Sequence, residues 1–379
     1  MPAAGFDVRR LFRLMEEAGA DVLLASSRHN TRYLAGGYYY PLYAWDAHTR
    51  GTQYLSFLAL PRDSLENAFF IGRPGEREAL EEADLWLRRC HEAQAIGIRP
   101  AAAKAVEQLK AQGLDRGRIA VELPSLPAEA FRILAEGLPG AQLVDTTPML
   151  DALRAVKSGR EIQILREATR RNLEAVAAVL TSGRDGETTT QVAGRVAREF
   201  GRRELHFLYA LVCAGPGFFR IPSDRRFWRR GNLLHIDTGG MLDGYIAETC
   251  RMGFLGRPSA LAEQLLAACR ELEQTVLRVL RPGLPAGELQ RSGDEFLKAH
   301  PLGGQGKFIA HGIGLVHHED PVIDLRRSEP LEAGMVLSLE MELLHPDAGH
   351  VKIEDMAAVT VAGGELLSPA GGQWQLSSP

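Results

Sequence analysis

Cysteine is scarce in this chain. There are four in 379 residues (Cys90, Cys213, Cys250 and Cys269), scattered without a Cys-x-x-Cys pair. That argues against a disulfide scaffold and points to free thiols in a reducing cytoplasm. No run of 18 apolar residues occurs, so no transmembrane helix is expected. The longest apolar stretch, around Leu208 to Phe219, is interrupted by Gly215, Pro216 and Gly217 and reads as a buried strand plus a turn. Charge of neither sign dominates: 44 Lys and Arg face 48 Asp and Glu, a net charge of −4. A dedicated nucleic-acid or membrane-surface binder would carry a basic excess. The opening residues, MPAAGFDVRRLF, lack the apolar region of a signal peptide. Internal repeats and low-complexity tracts are missing too. What remains, 45% hydrophobic and 24% charged residues, is the composition of a globular protein. The length is too great for one core and implies two domains.

The first part alternates helical and strand-like segments. Val8, Leu11, Phe12 and Met15 have helical spacing up to Gly19, and residues 21–25 read as a short buried strand. Strands are expected at 54–60, 68–71 and 118–121, and helices at 76–90 and 101–112. This is an α/β domain, a sheet covered by helices. A boundary falls near residues 150–158, giving domains 1–152 and 153–379. Ser158 with Glu161 forms a capping box that opens a long helix bearing Ile162, Leu165, Leu173, Val176 and Leu180 on one face. A second helix at 189–200 and a third at about 259–280, stopped by Pro282 and Gly283, follow. Strands at 207–213, 233–237, 335–342 and 351–361 come in blocks, which indicates an α+β domain.

Eight of the eleven histidines lie after residue 200, among the acids of interest. Two strands around Asp243-Gly244 form a hairpin. Ten residues separate Asp237 from Glu248 across it, so both carboxylates fall on one sheet face, opposite or diagonal. They repel unless something positive lies between them, a metal ion or an arginine. His311 stands in a glycine-containing segment where the backbone can approach a neighbour closely. Glu340 and Glu354 each sit on a strand. Four carboxylates from separate strands and one imidazole suit a pair of divalent ions, Mn, Co, Zn or Fe, better than a Cys-rich structural zinc. Taken singly, each element has a plainer reading. Asp237 alone reads as a turn cap, Glu340 and Glu342 as a solvated strand face, and only one of His317 and His318 is needed at a site.

The order HIDTGGMLDGYIAETCR, HGIGLVHHEDP, GMVLSLE and KIEDMAAVT resembles the pita-bread metallopeptidases: aminopeptidase P, prolidase and methionine aminopeptidase. LRAVKSGREIQILREA is similar to the segment that opens their catalytic domain. FDVRRLFRLMEEAGADVLLASSRHNTRYLAGG is similar to the start of their creatinase-like N-terminal domain. The resemblance covers nearly the whole chain and implies a metal-dependent peptidase cleaving Xaa-Pro bonds through a metal-bridged hydroxide. Two divalent ions per chain, Mn, Co or Zn, are implied. Asp237 would chelate the first, Glu248 would bridge, His311 and Glu340 would hold the second, and Glu354 would bridge as well. Glu340 would also shuttle protons, and His318 would hydrogen-bond the substrate.

The sequence departs from that pattern at several positions. Glu248 stands where the family has Asp, which displaces the carboxylate by about 1.3 to 1.5 Å. Metal–ligand distances tolerate about 0.2 Å, so one, two or no ions could result. The upstream segment around Arg220 is shorter than the family's GxNxxxPHxxPSDR and holds no histidine; Arg220 stands nearest as a donor for substrate. Met341 and Glu342 follow Glu340 in place of Pro-Gly, Lys352 replaces an Arg whose fork it cannot reproduce, and Ala310 replaces a Gly. Two alternatives stay open: a creatinase- or ectoine-hydrolase-like C–N hydrolase of a small non-peptide amide, and a catalytically silent binding protein. In the N-terminal domain, Tyr33, Tyr38, Tyr39, Tyr40, Tyr43 and Trp45, followed by Asp46, His48 and Arg50, form a packed edge or an interface. In dimeric members this domain closes over the partner's site, so Tyr40, Trp45 or His48 would line the cleft in trans. A cytoplasmic homodimer acting on a small peptide or amide, without nucleic-acid or membrane partners, is expected.

Overall fold

Val22–Ala25 is four consecutive buried apolar residues, long enough only for a strand covered on both faces. It is β1 of a six-stranded mixed sheet in the order β4-β3-β2-β1-β5-β6. The others are β2 (Phe57–Pro61), β3 (Phe69–Gly72), β4 (Cys90–Glu92), β5 (Arg116–Val121) and β6 (Gly140–Asp145). Helices α1 (Val8–Glu17), α2 (Arg28–Leu34), α3 (Glu76–Glu82), α4 (Ile98–Ala111), α5 (Ala128–Gly137) and α6 (Thr147–Ala155) accompany them. The computed structural model describes residues 4–38, 40, 54–62, 64–83, 85–369 and 374–377. The chain divides into two compact units, Met1–Leu153 and Arg154–Pro379. Among the described residues no helix is long and apolar enough to cross a membrane.

The single helix expected at 76–90 is two elements. Helix α3 stops at Glu82, with the Ala83 amide bonded to the Ala79 carbonyl, and β4 begins at Cys90. Trp86 and Leu87 are buried between them, and the Trp86 indole donates to the Leu34 carbonyl at 2.9 Å. Burying those large side chains outweighs the helix propensity of the segment. Of the aromatic cluster, Trp45, Tyr39, Tyr43, Asp46, His48 and Arg50 lie outside the described residues. Tyr33 is buried against Phe6, the Tyr38 hydroxyl donates to Glu76 at 3.0 Å, and Tyr40 lies under the Arg73 guanidinium. Those three pack within their own unit.

The second unit opens with α7 (Gly159–Thr181), and both halves of the Ser158–Glu161 capping box are formed. Then come β7 (Glu187–Thr188), α8 (Thr189–Arg202), β8 (His206–Ala214), β9 (Phe227–Trp228), β10 (Leu233–Leu242) and β11 (Tyr245–Leu255). They are followed by α9 (Ala260–Val279), α10 (Ala286–Ala299), β12 (Gly306–Gly312), β13 (Glu319–Val322), β14 (Val336–His345), β15 (Gly349–Thr360), β16 (Gly363–Leu366) and β17 (Gln375–Ser377). Strands β13-β12-β14-β15-β11-β10-β8 form one sheet, and β15 meets β11 at a single pair, Cys250 opposite Glu354.

Alternation along these strands divides the sheet into two faces. One is apolar: Ala210, Val212, Leu234, Ile236 and Ala247 pack with α7 and α8 side chains such as Leu165, Val176 and Phe200. Leu337, Leu339, Met341, Val351 and Ile353 pack with α9 and α10 side chains such as Leu265, Leu272 and Leu289. Residues of the other parity, Tyr209, Cys213, His235, Asp237, Glu248, His311, Glu340, Glu342, His350, Lys352 and Glu354, share the opposite face.

Candidate metal centre

The hairpin β10–β11 sets the first two acids. Asp237 is opposite Cys250 and Glu248 opposite Gly239, so the carboxylates are diagonal neighbours on one face, as their spacing requires. Both are buried. Its turn residues Asp243 and Gly244 have φ of 51° and 92°, the left-handed pair that a two-residue Asp-Gly turn uses. Strand β14 brings Glu340 directly opposite Glu354 of β15, and β12 pairs with β14 to place His311 beside them. All five sequence-expected ligands, Asp237, Glu248, His311, Glu340 and Glu354, therefore meet at one place. A Cβ at Gly312 would stand 2.3 Å from the Asp320 carbonyl, so only glycine lets β12 approach β13 there.

At the centre is the Lys352 ammonium. Its Nζ lies 2.6 Å from Asp237 Oδ2, 2.6 Å from Glu340 Oε2, 3.1 Å from Glu354 Oε2 and 3.8 Å from Glu342 Oε1. Burial opposes that charge, but Glu354, Asp237 and Glu340 together raise the Lys352 pKa well above the ordinary value. Burial raises the carboxyl pKa of Asp237 and, strongly, that of Glu354. Arg220 adds a second cation, with Nη1 3.1 Å from Asp237 Oδ2 and 3.9 Å from Glu342 Oε1. Each acid that repels its neighbour thus has a cation against it, which is the condition for burying so many carboxylates. Glu342, taken alone a candidate for a solvated face, is buried, and its pKa is lowered to about 2. Burial works against that shift, but His350, Lys352 and Arg220 prevail.

A second pole is built around Glu248. His311 Nε2 lies 3.1 Å from Glu248 Oε1 and 3.5 Å from Glu340 Oε1. Burial opposes protonation of His311, yet its bonds to these two acids push its pKa up to about 10. His317 makes a close ion contact with Glu248, and the Tyr209 hydroxyl donates to Glu248 at 3.1 Å and meets His317 Nε2 at 3.0 Å. These imidazoles hold the Glu248 carboxyl well below its usual range despite burial. A Cβ at Gly239 would stand 2.5 Å from the Tyr209 ring, so that glycine opens the path by which the phenol reaches Glu248.

Both adjacent histidines face the cluster. The His318 ring stacks on His311 with centroids 3.7 Å apart, and burial, then the charges on His311 and His317, lower its pKa. His317, Tyr209 and Lys352 are the contributors that motif spacing alone did not single out as site groups. Lys352 carried a signal, two residues before Glu354; Tyr209, on a strand of its own, carried none.

The donor set fits a divalent cation. One donor atom of each of Glu248, His311 and Glu354 lies within 4.8 Å of the other two. Glu248 Oε1, His311 Nε2 and Glu354 Oε2 are buried, Glu248 in ion contact with His311 and Glu354 with Lys352. Carboxylate oxygen with imidazole nitrogen is a donor set for Mn, Co or Zn. The space among Asp237, Glu340 and Glu354 is instead taken by the Lys352 ammonium.

Residues 8–156 match the creatinase/prolidase N-terminal domain and residues 163–361 match metallopeptidase family M24. Among curated relatives, the uncharacterized peptidase YqhT of Bacillus subtilis (strain 168) is 25% identical over 258 residues, 66% of this chain and 72% of its own length. An Xaa-Pro dipeptidase of Pyrococcus furiosus is 27% identical over 225 residues, 57% of this chain and 64% of its own. The solved dipeptidase PepE of Mycobacterium ulcerans is 26% identical with a TM-score of 0.76, covering 98% of this chain and 97% of that one. A dipeptidase of Pyrococcus horikoshii OT3, at 22% identity and a TM-score of 0.81 over 98% and 99% of the chains, shares the fold. The architecture is the two-domain pita-bread arrangement. With the match spanning more than half of its length, the chain belongs to metallopeptidase family M24.

Proposed function

We propose that this chain is a metal-dependent peptidase that cleaves Xaa-Pro bonds in dipeptides or short peptides. The observation that carries the reading is the convergence of Asp237, Glu248, His311, Glu340 and Glu354 on one buried sheet face, with one donor atom of each of Glu248, His311 and Glu354 within 4.8 Å of the other two. The relatives named for Xaa-Pro and dipeptide hydrolysis support the substrate class. Glu248, His311 and Glu354 would hold one divalent ion, Mn, Co or Zn. Asp237 and Glu340 complete a second site only when Lys352 withdraws its ammonium. A bound divalent ion supplies Lewis acidity and makes a water acidic enough to attack at neutral pH.

The protein's own groups do the rest. Glu340, between His311 and Lys352, is placed to accept the proton of the attacking water and return it to the leaving amine. His318, stacked on His311, is the donor toward the scissile amide. Arg220 is one third exposed and uses Nη1 on Asp237; its remaining guanidinium donors suit the substrate carboxylate. Trp45, outside the described residues, is proposed to line the cleft from a partner subunit of a cytoplasmic homodimer. That Arg220 and Lys352 both crowd Asp237 favours a second reading, a hydrolase of small non-peptide amides with a remodelled first ion position.

The test joins elemental analysis with a substrate panel. Protein purified without added metal, then loaded with Mn, Co or Zn, is assayed on Xaa-Pro dipeptides, dipeptides without proline and small amides. Hydrolysis of the proline peptides that chelator abolishes and reloading restores is the expected result. Turnover of amides alone selects the second reading. Ions that fail to bind at all would overturn both.

A further inference from the structure

One step outward along the same sheet face from Asp237 and Lys352, a different set of donors converges. Cys213 of β8 pairs directly with His235 of β10, and His350 of β15 reaches the same spot. The two imidazole centroids are 4.6 Å apart, and one donor atom of each of the three residues lies within 4.8 Å of the others. All three are buried, at 2%, 0% and 3% exposure. His235 Nε2 and His350 Nδ1 have no hydrogen-bond partner among the described residues. His235 Nδ1 has only a long contact, 3.4 Å, to the His350 carbonyl. Cys213 Sγ has a single acceptor, the Gly217 carbonyl at 3.3 Å. Glu342 Oε2 stands 3.5 Å from His350 Nε2.

A buried polar nitrogen left unmatched is destabilising, and each of these two imidazoles carries at least one. A packed core needs no thiol and two imidazoles in register on three strands. We propose that Cys213, His235 and His350 form a second metal site, chemically softer than the carboxylate cluster, with the Glu342 carboxylate as fourth ligand. One thiolate, two imidazoles and one carboxylate select zinc or a zinc-like ion such as Co(II), and disfavour Mg, Ca and Mn. Tetrahedral ligands about 2.0–2.3 Å from an ion stand about 3.3–3.8 Å apart, so modest side-chain rotation closes the observed spacing. Binding replaces the Cys213 thiol proton, which leaves to solvent. It also draws on Glu342, which otherwise faces Lys352 and Arg220, so this site borders the catalytic cluster through one shared side chain.

The test uses cobalt, because only a cysteine-ligated ion gives sulfur-to-cobalt charge transfer in the near ultraviolet. The full chain, stripped of metal and titrated with Co(II), is expected to develop that band together with intense visible bands of tetrahedral cobalt. Cys213→Ser should lose the ultraviolet band and one ion per chain while keeping the ion of the carboxylate cluster. His350→Ala, which leaves every thiol in place, should weaken binding of the same ion and alter the visible bands. No ultraviolet band in the parent protein at saturating cobalt would overturn the proposal. So would a band that survives Cys213→Ser, since Cys250, beside Asp237, would then be its source. Failure of the carboxylate cluster to bind metal leaves this band unaffected, so the two readings fail separately.

Discussion

A lysine ammonium among Asp237, Glu340, Glu354 and Glu342 is the residue on which the electrostatics of this protein turn. Removing one partner of a buried ionic cluster leaves uncompensated charge and costs about 3–5 kcal/mol. Lys352→Met should lower metal-free stability by about that amount in a denaturant titration, and added divalent ion should restore much of it. The variant should also bind one more ion per chain than the parent. Unchanged stability with an unchanged ion count would show that the ammonium does not hold these acids together. A second contrast lies in the adjacent histidines. His317 orients Glu248 and His318 does not, so His317→Ala should weaken divalent-ion affinity by about 10–100-fold, the usual effect of losing a group that positions a ligand. His318→Ala should leave ion affinity near that of the parent and lower kcat. Equal losses of affinity in both variants would contradict this division of roles.

At the scale of elements, strand pairing places the chemistry and helices supply the support. Helix α9 carries Glu273 against Asp355 of β15, the residue that follows Glu354; Asp355 is also bonded to Arg251 at 2.5 Å. Burial, and then the charge of Asp355, pushes the Glu273 carboxyl up to about 9. A folded pKa raised above the unfolded value means the folded state keeps the proton longer. That contribution is complete below about 4.5 and is lost as pH rises toward about 9. The parent protein should therefore lose thermal stability across that range, while Glu273→Gln, which cannot ionise, should lose less. Parallel melting curves for the two proteins between pH 5 and 9 would count against a protonated Glu273. The capping box at Ser158 and the Asp-Gly hairpin were legible because each depends on a few neighbouring residues. The segment 76–90 was not, because Trp86 is held by a carbonyl 52 residues away in the chain.

For the whole molecule, an ion that binds only the folded state stabilises it by mass action, by about 2.7 kcal/mol at a hundredfold excess over Kd. Calorimetry should show chelator lowering the transition of the unit that contains the metal cluster, Arg154–Pro379, and leaving that of Met1–Leu153 in place. A chelator shift in the other transition, or in neither, would contradict metal binding at the cluster. Spacing along one hairpin is enough to put Asp237 and Glu248 on one face, because period-two alternation is a local property of strands; that Glu340 and Glu354 join them depends on strand register. Motif order likewise named His311 as their imidazole. Long-range strand pairing sets Lys352 in the middle of those acids, lets Tyr209 and His317 share Glu248, and brings Cys213, His235 and His350 together. Those juxtapositions join strands far apart in the chain, and which side chains touch across a sheet depends on register and packing, which no local pattern encodes.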